Sequence, residues 1–114
     1  MRVVEVLKSR EYSLDEITEY YYKIIENEVI IDNVDRNLVY GIEIDKVLIK
    51  KNGNQIVDNE KVEIVSCNLD LVREICKILH ENLVSPIHLV DVLEDNMSRI
   101  LKLNSKIKFV ENAI

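Results

Sequence analysis

The chain has 114 residues, of which 47% are hydrophobic and 32% charged, with a formal net charge of −6 and a pI near 4.9. That length supports one hydrophobic core, and an apolar fraction carried by Ile and Val with few aromatics favours a sheet within it. The acidic balance argues against nucleic acid, whose binding rests on Lys and Arg at phosphates. No apolar run approaches the roughly 18 residues of a membrane span, so no membrane partner is expected.

The opening "MRVVEVLKSREY" breaks its apolar run at Glu5, short of a secretory leader, so a cytoplasmic location is the expectation. Ser13-Leu14-Asp15-Glu16 matches a capping box, in which the Ser hydroxyl and the Glu carboxylate satisfy each other's backbone donors. The spacing therefore predicts a helical turn from Leu14, followed by a strand from about Tyr20 to Ile31, where "YYYKII" and "EVII" supply aromatic and β-branched residues. A polar turn, "DNVDRN", comes next.

In the following strand Leu38, Tyr40, Ile42 and Ile44 alternate with Val39, Gly41, Glu43 and Asp45, the period-two pattern of a sheet wet on one side. Asn52-Gly53 then predicts a two-residue hairpin turn. Such a turn pairs residues whose numbers sum to 105, setting Ile42 against Glu63 and Ile44 against Lys61, which mixes the two faces. One extra residue near Asp58-Asn59 or Asp45-Lys46 restores Ile44 with Val62 and Ile42 with Ile64, so a β-bulge is expected there.

Two helices follow. Ser66 or Asn68 caps the first, whose apolar arc holds Leu71, Val72, Ile75, Cys76, Ile78, Leu79 and Leu83. Ser85 is expected to cap the second, with Pro86 at the first helical position. Its arc runs through Leu89, Val90, Val92, Leu93, Met97, Ile100, Leu101 and Leu103 to about Asn104. The fold class is therefore α+β: an antiparallel meander of three to four strands with two C-terminal amphipathic helices packed on one face. A single domain spans 1–114, with the core at about 14–104 and a tail at 105–114.

His88, Asp91 and Asp95 lie three and four apart on one stripe of the second helix, a spacing that lets side chains share a ligand. They occupy the polar side of the wheel, and acidic residues in early turns complement the helix dipole. The reading adopted is a solvated face which, with Arg99, forms the candidate partner surface. Asn96, Met97 and Ile100 sit in an apolar arc wider than one small core requires and form the candidate oligomer interface. His80 is expected to cover a carbonyl in the last turn of the first helix, and Cys67 and Cys76 to be free buried thiols. No GxSxG elbow, phosphate-cradling glycine loop or ligand spacing asks for a catalytic residue, cofactor or metal.

Tyr40-Gly41-Ile42-Glu43-Ile44 and Asn82 to Asp95, "NLVSPIHLVDVLED", resemble a family of small uncharacterised bacterial proteins, a domain of unknown function found largely in low-GC Gram-positive bacteria. The likeness covers roughly residues 20–97. It implies a bacterial cytosolic protein and carries no activity or cofactor. The expected function is a non-enzymatic regulatory or protein-interaction module, with an unidentified protein or a second copy as partner and no nucleic acid. The alternatives are a DNA-binding helix-turn-helix regulator over residues 69–104 and a metal-dependent enzyme using His88, Asp91 and Asp95.

Overall fold

A computed structural model describes residues 1–31 and 35–96. Over those residues four strands, β1 (Arg2–Tyr12), β2 (Ile17–Ile31), β3 (Asp35–Lys50) and β4 (Gly53–Ser66), form one antiparallel sheet in the order β1-β2-β3-β4. Two helices follow, α1 (Leu69–Glu81) and, after a 3₁₀ turn at Pro86–His88, α2 (Leu89–Asp95). Consecutive hairpins make this a meander, and the class is α+β.

The N-terminal third departs from the expectation. Residues 2–12 are a strand, and no helix starts at Leu14: Ser13–Glu16 is the connection between β1 and β2. Both the backbone N–H and the hydroxyl of Ser13 donate to the Glu16 carbonyl, at 2.9 and 3.1 Å, and Leu14 is fully exposed. The reason is tertiary. A strand beginning at Ile17, three residues before the expected start, has partners on both sides, pairing Leu7 with Tyr22 and Ile24 with Ile42. Those ladders outweigh one reciprocal cap. Of the polar turn, residues 32–34 lie outside the described residues, and 35–37 already belong to β3.

At the other hairpin Lys50 pairs with Gly53, so the two-residue turn is Lys51-Asn52, one position earlier than expected. Gly53 follows it at φ +120°, a value that glycine adopts without a Cβ penalty. The ladder slips between Lys46 and Val47, where Val57 is the extra residue, next to the expected site of the bulge. The slip sets Ile42 against Val62, two residues from the expected register, and leaves Ile44 facing the exposed Glu60. A second slip lies between Tyr40 and Ile42. Ile64, expected to point inward, is consequently exposed, and Val65 packs on the core in its place.

Gly41 sits at that second slip. A Cβ there would overlap the backbone carbonyls of Val62 and Glu63, so only glycine lets β4 close against β3. The Asn27 side chain donates to the Glu63 carbonyl at 3.0 Å, satisfying an acceptor in the irregular segment.

The core joins Tyr20, Tyr22, Ile24, Ile42 and Ile44 of the sheet to Leu71, Val72, Ile75, Cys76 and Leu79 of α1 and to Leu89 and Leu93 of α2. The five α1 side chains contribute on the order of 10 kcal/mol before entropy is subtracted. Asn68 is the α1 cap, accepting from the N–H groups of Asp70 and Leu71 at 3.1 and 3.3 Å. The helix ends in a Schellman arrangement, with the Val84 N–H on the Leu79 carbonyl and that of Leu83 on the His80 carbonyl. Leu83 takes the left-handed position, at φ 50°, where glycine is usual, and packs on the core. Its burial offsets that conformational cost.

The second helical segment also needs correcting. Pro86 is buried and starts the 3₁₀ turn, but the Ser85 hydroxyl makes no cap bond; its backbone carbonyl accepts from the His88 N–H at 3.0 Å instead. Val90, placed in the apolar arc by the wheel, is 43% exposed, because the first turn is 3₁₀ and shifts the phase of α2. Helix beyond Asn96, and with it Arg99, Met97 and Ile100, lies outside the described residues.

Candidate interaction surface

Alternation along the strands gives the sheet two rows of side chains. The row containing Tyr22, Ile24, Ile42 and Ile44 enters the core. The opposite row, here the outer face, is built from register pairs: Arg10 with Glu19, Lys8 with Tyr21, Val6 with Lys23, Glu19 with Val47, Tyr21 with Asp45, Lys23 with Glu43 and Asp45 with Asn59.

Glu19 organises one end of this face. Its carboxylate meets Lys8 Nζ at 2.7 Å and Arg10 at 3.0 Å, and accepts from the Tyr21 hydroxyl at 3.1 Å, while only 3% of its surface is exposed. The Lys8 hydrogen bond, aided by Arg10 and Tyr21, holds the Glu19 carboxyl below its ordinary value against the opposing effect of burial. Lys8 is correspondingly raised, chiefly by the same bond. Such a carboxylate is a fixed anion at neutral pH and a poor proton donor.

The second cluster lies across the sheet. Lys23 Nζ is 2.5 Å from Asp45 and 3.8 Å from Glu43, and the Asn59 amide donates to both carboxylates. The Asp45 hydrogen bond raises Lys23 above its ordinary value. Around this half-buried pair Val6 and Ile56 stand 47% and 61% exposed, beside Tyr21, Val47 and Asn54 in one shallow hollow. An apolar patch with pre-ordered polar groups between its members is the usual composition of a docking surface.

The stripe expected on the second helix is arranged differently. His88 Nδ1 is 3.8 Å from Asp91, with side chains 64% and 73% exposed, and Asp95 is also exposed. Asn96 is half-buried and donates from its side chain to the Val92 carbonyl at 2.8 Å, closing its own helix. Among the described residues no group of three or more His, Cys, Asp or Glu side chains is placed to hold a metal ion.

His80 and Cys67 differ from expectation. The His80 ring meets the Lys8 carbonyl of β1 at 2.9 Å and stands edge-on to Tyr22, so it ties α1 to the sheet and leaves its own last-turn carbonyls alone. Cys67 is exposed, since it follows β4 at the turn into α1; Cys76 is buried, and burial pushes its thiol up to about 12. No helix of the described residues is long and apolar enough to cross a membrane.

Lys8, Arg10, Glu19 and Lys23 share a surface only because residues 2–12 pair with β2 as a strand, which the sequence reading did not anticipate. The available signal was the alternation of Val6, Lys8 and Arg10 with Glu5, Leu7 and Ser9, matched by Glu19, Tyr21 and Lys23 across the turn.

No curated protein and no solved structure matches the chain significantly. The family match reaches further toward the N-terminus than the "YGIEI" and "NLVSPIHLVDVLED" motifs suggest, taking in all of β1 and stopping before the tail. Its model spans residues 1–99, and the chain belongs to this family of unknown function (DUF6514).

Proposed function

We propose that the chain is a non-enzymatic regulatory or protein-interaction module of the bacterial cytosol that works as a homodimer. In this reading both helices cover one side of the sheet through amphipathic stripes, and the outer face receives a second copy. The observation that supports it is the exposed pair Val6 and Ile56 flanking the Lys23–Asp45 ion pair. The Lys8, Arg10 and Glu19 group keeps a net +1 and the Lys23, Glu43 and Asp45 group a net −1, so a two-fold axis can oppose unlike charges.

Light scattering across a concentration series tests the proposal. A dimer is expected, dissociated by Val6→Lys with Ile56→Lys while the far-UV spectrum is unchanged. A monomer at every concentration refutes it. Dissociation by Ile100→Lys with no effect of the sheet pair moves the interface to Asn96, Met97 and Ile100.

A further inference from the structure

Among the described residues β4 is an edge strand, 14 residues long, and its first eight are exposed. Ile56, Val57 and Ile64 stand 61%, 46% and 57% exposed along it. An edge of this length offers a row of backbone donors and acceptors that templates another strand. Its charges select the occupant. Asp58, Glu60 and Glu63 outnumber Lys61, and residues paired across an antiparallel ladder share a face. A second β4 centred on Asn59 therefore sets Asp58 against Glu60, and one centred on Asp58, Glu60 or Lys61 sets a like charge against itself.

A basic strand suits this edge, and the chain contains one. Residues 97–114 carry Arg99, Lys102, Lys106 and Lys108 against Glu111 alone. Four against one gives +3, so with −6 overall the first 96 residues carry −9. Within this segment Lys106-Ile107-Lys108-Phe109-Val110 alternates charged with β-branched and aromatic residues, a strand-forming pattern. The segment also starts in the right place, because both the 3₁₀ turn and α2 contact β4. Extended at about 3.3 Å per residue, it outreaches β4 along its whole length.

We propose that residues 105–114 add to the free edge of β4 as a fifth strand, bringing Lys106 and Lys108 to the acidic stretch Asp58–Glu60. Surplus negative charge on the edge is then neutralised within the chain, which protects the edge from pairing with other molecules.

Hydrogen exchange on the full-length chain tests this. The β4 amides that point away from β3 are expected to exchange at least about tenfold more slowly than exposed amides. Ile107→Pro, which blocks strand pairing, and Lys106→Glu with Lys108→Glu should each abolish that protection while amides of Ile24 and Ile42 stay protected. Fast exchange at those β4 positions in the unmodified chain overturns the proposal. So does protection that disappears on dilution, which assigns the edge to a second copy.

Discussion

Gly41→Ala perturbs one atom at a position where the fold leaves no room for it. The added Cβ would overlap the Val62 and Glu63 carbonyls, and both obstacles are backbone, so no side-chain rotation relieves the clash. A carbon and a carbonyl oxygen approach no closer than about 3.3 Å, so β4 must retreat by roughly 1 Å. That retreat weakens the ladder on either side, at Ile42 with Val62 and Tyr40 with Ser66, and loosens the Asn27 bond to Glu63. Overpacking, the weakened ladder included, costs about 1–3 kcal/mol and the loosened Asn27 bond about 1 kcal/mol, for a total near 3 kcal/mol. With a urea slope of about 1.5 kcal/mol per molar, the denaturation midpoint should fall by about 2 M. Gly53→Ala is the control: its Cβ meets nothing within 4 Å, and only the positive φ opposes it, a strain of about 1 kcal/mol. If urea melts show Gly41→Ala within about 0.3 M of the parent, or less damaging than Gly53→Ala, the assigned approach of β4 to β3 is wrong.

Glu19 is depressed in the folded state, so its contribution is complete above the unfolded value of 4.5 and is lost as pH falls below it; Glu19→Gln should flatten the acid limb of a plot of urea midpoint against pH. A thiol reagent should modify Cys67 quickly and Cys76 only after denaturation, since the latter is buried with its thiol near 12; two fast thiols in the native protein would contradict the placement of α1. Asn68→Ala removes the acceptor for two N–H groups and should cost about 1 kcal/mol in thermal or urea melts, with no change expected at Ser85→Ala, which caps nothing. Leu93→Asp places a carboxylate at a site 6% exposed and should cost at least about 3 kcal/mol, so an unchanged melting temperature would refute α2's role in the core.

Much of the local structure was present in the order of residues. The alternation around Ile42 and Ile44, Asn68 as one of two candidate caps, an apolar arc on α1 of which five of seven residues are buried, and Pro86 at the start of the second helical segment are all properties of a few neighbours, and each stands in the structure. Parity was readable too: the mismatch across the last hairpin required a bulge, and Val57 supplies it. Position was not. A turn one residue earlier moved the register at Ile42 and Ile44 by two, and the second slip beside Gly41 reverses that shift by Tyr40, because those details depend on how closely two backbones approach.

Composition and charge settled what kind of polymer this is: a chain able to form one core, rich in β-branched residues and acidic overall. Only the tertiary structure decided the fate of Ser13–Glu16, whose cap pattern suits a helix in isolation and a tight hairpin connection once residues on both sides pair as strands. It also decided that Lys8, Arg10 and Glu19, distant in a list of residues, share one face. Local preferences are worth a kilocalorie or so, whereas a strand paired on both edges combines many bonds with burial of its side chains, so where the two disagree the long-range contacts prevail.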